Sequence, residues 1–140
     1  MSRLRIELPS IFPFRTALDV RVTDLNYGNH LGNDALLGLL HEARVRFLAS
    51  LGYSELSVEG LGILMADCAI VYKAQGRLGD RLQVEVGVGD FTRSGCDLFY
   101  RVLRGDAELA RAKTGIVFYD YRAEAVRPVP AGFRMRFVAN

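Results

Sequence analysis

Only two cysteines, two histidines and four prolines occur in the 140 residues. Cys68 and Cys96 fall in separate strand-like runs and neither belongs to a CxxC pair. That excludes a disulfide framework and is read as two reduced core thiols of a cytosolic protein. Two histidines without clustered cysteines argue against a metal centre, so no metal is expected. Neither charge sign is in large excess: the net charge of +2 gives no case for a nucleic-acid partner. No apolar run approaches membrane-spanning length, so no membrane partner is expected either. Met1 to Pro13 mixes charged and apolar residues and lacks the apolar block of a leader peptide, which sets the expected location as cytoplasmic. Repeats, linkers and low-complexity segments are absent, and residues 1–140 read as a single domain large enough for a proper core.

What is present centres on Asp24 to Gly52. The first third is polar and turn-rich, with Asn26, Gly28, Asn29, Gly32 and Asn33 breaking any regular period. The remainder predicts a long helix. Asn33 suits its N-cap, Asp34 its electropositive first turn, and Gly52 a left-handed C-terminal position. Leu36, Leu40, Ala43, Phe47 and Leu51 make one stripe, which Leu37, Leu39, Val45 and Leu48 widen beyond an ordinary amphipathic face. A helix this apolar is expected to be buried.

The flanking segments supply strands to cover it. After an irregular arm marked by Pro9 and Pro13, residues 16–23 alternate and predict a strand. Residues 54–60 read as a connector with at most one helical turn. Residues 61–74 form an apolar run, read as a strand buried on most of its surface. Residues 81–91 and 96–104 alternate cleanly, and residues 107–120 form a last long strand with Ala110, Ala112, Thr114, Ile116 and Phe118 inward. Short turns at 77–80, 93–95 and 104–106 demand antiparallel neighbours. Pro128 and Pro130 open an irregular tail. The fold class is α+β: one long buried helix wrapped by a five-stranded antiparallel sheet.

This layout, with the loop Asp24-Leu25-Asn26-Tyr27-Gly28-Asn29-His30-Leu31-Gly32-Asn33, resembles the hotdog-fold acyl thioesterases, in particular the branch of the 4-hydroxybenzoyl-CoA and YbgC-like enzymes. The family loop is roughly D-x-D-x-x-G-H-V-N-N, followed on the helix by E-A-R, here Glu42-Ala43-Arg44. A second motif, Y-x-x-P-x-R-x-G-D, is met by Tyr72, Arg77, Gly79 and Asp80, with Gln75 in place of proline. Arg127-Pro128-Val129-Pro130 resembles the closing segment. The resemblance spans about residues 16–133. It implies hydrolysis of an acyl-CoA or acyl-ACP thioester without a cofactor beyond the coenzyme A of the substrate. It also implies a homodimer or dimer of dimers paired through the second strand, with sites shared across the interface.

One departure bears on chemistry. The second Asp of the family loop, usually credited as nucleophile or base, is Asn26, and an amide neither takes a proton at neutral pH nor attacks a carbonyl. The catalytic candidates are therefore His30 as the group that activates water, Asn26 as its orienter or a donor to the thioester oxygen, and Asp24 as the orienter of His30 or the base itself. Tyr27, Gly28, Asn33 and Asp67 are candidate substrate contacts. Arg93 and Ser94 are candidates for the carrier phosphates, with Lys73 and Arg77 as further options. Plainer roles stand beside these. His30 can bond a neighbouring backbone group, the asparagines can be turn and cap residues, and Glu42 and Arg44 can make structural ion pairs. Asp67, a carboxylate in an apolar strand, is either a subunit-contact group or an active-site acid. Two other functions stay open: a non-catalytic acyl-CoA-binding protein, for which Asn26 speaks, and a hotdog dehydratase or hydratase, whose H-F-P-G-type loop is not matched by His30-Leu31-Gly32-Asn33.

Overall fold

The predicted helix forms as α1, Asn33–Ser50, in a computed structural model that describes residues 3–138. Its N-cap is Gly32, not Asn33, which is the first helical residue and directs its Oδ1 to the Asp34 N–H. Its end is as expected: Gly52 has φ +81°, and the Gly52 and Tyr53 N–H groups donate to the Ala49 and Leu48 carbonyls. That crossed pair is the Schellman arrangement, which a residue without Cβ adopts at least cost.

The strands are β1 (Phe14–Asp19), β2 (Gly62–Tyr72), β3 (Arg81–Gly89), β4 (Gly95–Arg104), β5 (Ala107–Asp120) and the two-residue β6 (Ala125–Val126). They form one antiparallel sheet in the order β1-β3-β4-β5-β2, with β6 pairing the end of β5. β1 stops short of the predicted strand because residues 22–24 turn into a 3-10 segment. Residues 54–61 hold two isolated bridges and no helical turn. α1 lies on one face of the sheet. Ala43, Leu40, Phe47 and Leu48 bury against a floor that includes Ala110, Ala112, Ile116 and Phe118, and the predicted inward face of β5 is buried throughout. Small floor residues let the helix axis approach the sheet closely.

Burial departs from expectation in three places. Leu37 and Val45, on the widened flank of the stripe, are exposed at 45% and 42%. β2 is an edge strand, and its middle, Met65 to Cys68, is exposed. Cys68 is thus not a core thiol, whereas Cys96 is buried and its thiol pKa is pushed up to about 12, chiefly by burial. The tail also holds a short helix, α2 (Ala131–Phe137), that alternation could not reveal. Its Phe133 and Phe137 stack with Phe118, Phe91, Tyr53 and Phe47 and close the C-terminal end of α1. The N-terminal arm crosses the opposite sheet face. Arg111 donates to the Ile6 carbonyl, Phe12 lies under the Arg101 guanidinium, and Pro9 and Ile11 run directly over Gly87.

Candidate active site

The loop between β1 and α1 is built around two side chains. Asp24 is 5% exposed and accepts hydrogen bonds from the Arg21 backbone N–H (2.9 Å), Nε (3.1 Å) and Nη2 (3.1 Å). Those bonds, Arg21's side chain first, hold its carboxyl below the usual range despite burial. Its own carbonyl accepts the Gly32 N–H, which ties the loop's two ends together. Asn26 organises the tip. Its Oδ1 accepts the N–H groups of Gly28 (2.9 Å) and His30 (3.2 Å), while its backbone N–H donates to the His30 carbonyl. Asn29 takes the left-handed conformation at φ +62°, which asparagine tolerates better than most residues.

His30 then forms an isolated antiparallel bridge with Arg77, beside a 2.7 Å bond from the Leu31 N–H to the Gly76 carbonyl. In such a pair the two side chains leave the ribbon on the same side. No hydrogen bond engages either ring nitrogen of His30 among the described residues. Arg77 has no carboxylate partner among them either: Asp80, the nearest acid in its turn, takes the Arg77 backbone N–H and the Arg104 guanidinium. The opposite side of the ribbon faces a crevice lined by Leu31, Leu36, Tyr72, Leu109 and Ala110, of only ≈ 20 Å³. Tyr72 walls it and donates its O–H to the Asn33 carbonyl (3.1 Å), bracing the helix start. Small-molecule pockets are typically of order 300 Å³ or more, so this crevice is too small to be one. His30 lines none of the five principal cavities.

The sequence profile of the thioesterase-like superfamily matches residues 20–137. The chain belongs to the thioesterase-like superfamily. Its fold is the hotdog fold of that group. A 1,4-dihydroxy-2-naphthoyl-CoA thioesterase from Synechocystis superposes with TM-score 0.77 at 22% identity, covering 87% of this chain and 93% of its own. The gentisyl-coenzyme A thioesterase BH1999 gives 0.77 at 18%, over 86% and 99%. A protein from Aquifex aeolicus gives 0.81 at 19%, over 90% and 100%. At these identities the likeness establishes the fold. Curated protein sequences give no match.

Within this thioesterase-like fold the structure gathers Asn26, Tyr27, Gly28 and His30 at the start of α1, with Asn33 behind them. Tyr27 stands fully in solvent at the tip. No hydrogen bond joins Asp24 to His30 among the described residues: its carboxylate is occupied by Arg21, so it anchors the loop and does not orient the imidazole. Asp67 faces away from the helix, on the outer side of the sheet. There its Oδ1 accepts the Gly115 N–H (3.1 Å) where the β2–β5 register slips between Met65 and Asp67. Within the chain it mends a ladder bond at a bulge. Arg93 and Ser94 lie at the other end of α1, where their carbonyls accept the Val129 and Phe118 N–H groups. An 18-residue helix is roughly 27 Å long, so within one chain they cannot share a small ligand's reactive end with His30. Lys73 is paired with Glu108. Arg77 was legible only as an optional phosphate contact, and its pairing with His30 had no signal in the sequence.

The E-A-R segment is structural. Glu42 pairs with Arg46 one turn on. Arg44 is buried and bonds Glu55 (2.7 Å) and the Tyr100 hydroxyl (3.2 Å), which in turn meets Thr114. Burial alone would lower the Arg44 pKa, but Tyr100 and Glu55 outweigh it and raise it. His41 caps the chain on Glu55 at the surface.

Proposed function

We propose that the protein hydrolyses an acyl-CoA or acyl-ACP thioester, with His30 as the group that takes the proton from water. The observation that carries this reading is the uncommitted imidazole at the mouth of α1 in a chain of the thioesterase-like superfamily. The two named structural relatives act on aryl-CoA thioesters, which makes aromatic acyl groups the first to try. Asn26 fixes the His30 backbone and leaves its amide N–H₂ for the water or the thioester oxygen. No cofactor enters beyond the carrier, and the proposed location is the cytoplasm.

A second copy completes the site in this reading. β2 offers an uncovered edge of 11 residues, and such an edge is normally paired or protected. Its Tyr72 end adjoins the His30 loop and its Ile63 end adjoins Phe118 and Ser94. Antiparallel pairing of two β2 strands about a two-fold axis sets the Arg93–Ser94 turn of one copy near the His30 loop of the other, where it can meet the carrier phosphates.

Free-thiol release from a panel of aryl- and alkyl-CoA thioesters tests the activity. His30→Ala should lower kcat by about 10² or more; full turnover in that variant would remove His30 from the chemistry. Asn26 favours a second reading, a protein that binds acyl-CoA without cleaving it, since its Oδ1 already serves two backbone bonds. Calorimetric binding without thiol release would establish that alternative.

A further inference from the structure

We propose that Arg77 is a substrate-contacting residue, its guanidinium holding the thioester carbonyl oxygen while His30 acts on water. This rests on the thioesterase reading above. Three observations converge on it. First, the antiparallel bridge projects His30 and Arg77 from the same side of one ribbon, as directly opposed residues. Second, the neighbouring cations are neutralised and this one is not. Arg21 pairs with Asp24, Lys73 and Arg111 with Glu108, Arg81 with Asp19, and Arg104 with Asp80. Arg77 alone of this group makes no ion pair among the described residues; the nearby Asp80 carboxylate, which feels its charge, is already held by Arg104. Third, two of the backbone donors at the start of α1 are engaged. The Asp34 N–H meets Asn33 Oδ1 and the Leu36 N–H meets the Gly32 carbonyl.

The position also decides which part of a substrate Arg77 meets. The carrier phosphate is separated from the thioester by the whole pantetheine arm. A cation directly beside the group that activates water therefore lies at the reacting carbonyl. The step balances without another reactant. Water gives a proton to the neutral His30 ring as its oxygen bonds to the carbonyl carbon, and the C=O electron pair moves onto the oxygen beside Arg77. Collapse restores the C=O bond and breaks the C–S bond, and the departing thiolate takes the proton from His30. A preorganised donor at the developing oxyanion commonly supplies a large share of the rate enhancement.

Arg77→Met and Arg77→Lys are assayed beside the wild type with benzoyl-CoA and octanoyl-CoA, and with the matching S-acyl-N-acetylcysteamines, which keep the thioester and lack phosphate. Arg77→Met should lower kcat by about 10² on both carriers with KM little changed, and Arg77→Lys should recover part of it. Both variants should keep the wild-type Tm, because the side chain makes no hydrogen bond within the described residues. Wild-type kcat in Arg77→Met, or a loss confined to the CoA esters, overturns the assignment. Wild-type protein that releases thiol from none of these thioesters overturns the thioesterase reading itself, and this assignment with it.

Discussion

Asp24 and Asn26 show how two similar polar residues in one loop come to different work. The Asp24 carboxylate lies under Arg21 and accepts three bonds from it; the Asn26 amide accepts two backbone N–H groups and leaves its nitrogen free. Asp24 therefore carries a pH signature. Its folded-state pKa lies below the ordinary carboxylate value because Arg21 bonds the charged form. The stability it adds is fully present above that ordinary value and is lost as pH falls through the depressed one. Thermal melts of the wild type and Asp24→Asn should differ at neutral pH and converge in acid. Parallel curves across the acid range would show that the pair contributes nothing. Little of this was legible beforehand, since an acid in a polar loop looks the same whether it faces an arginine or a histidine.

At the scale of elements, the N-terminal arm and β3 depend on one missing side chain. A Cβ on Gly87 would lie 2.9 Å from Pro9 Cγ and 3.1 Å from the Ile11 carbonyl. The arm can follow the sheet only because that space is empty. Gly87→Val should lift residues 9–12 and destabilise the fold by about 1–3 kcal/mol, the usual cost of overpacking. Faster tryptic cleavage at Arg5 and Arg15, with near-wild-type far-UV dichroism, is the expected signature. Unchanged cleavage would mean that the arm does not need the gap. β1, β3 and β4 were readable from alternation and β2 from its apolar run, and β5 has the predicted bounds of Ala107–Asp120. α2 was not, because seven residues after two prolines carry no period, and Phe133 is buried only through the aromatic cluster around it.

At the scale of the whole molecule, the mouth of α1 is open and the crevice behind it is too small for an acyl group. The uncovered β2 edge runs from that mouth at Tyr72 past the exposed Cys68 and Met65 towards the far end of α1, and α1 itself exposes Leu37 and Val45. Paired copies would cover these together. Light scattering at micromolar concentration should give at least twice the chain mass, and dilution below the dissociation range should abolish thiol release. A monomer that retains full turnover would contradict the shared site.

Local pattern alone determined the α+β class, the strand periods, the helix over residues 33–50 and a polar loop with His30 at its start. These follow from side-chain spacing and turn chemistry, which act between residues close in the chain. Tertiary structure alone decided that Asp67 serves the bulge opposite Gly115, that Cys68 is exposed and that Arg77 stands beside His30. Each depends on which strands become neighbours and which becomes the edge. That outcome is fixed by the packing of the sheet against α1, not by the period of any single segment.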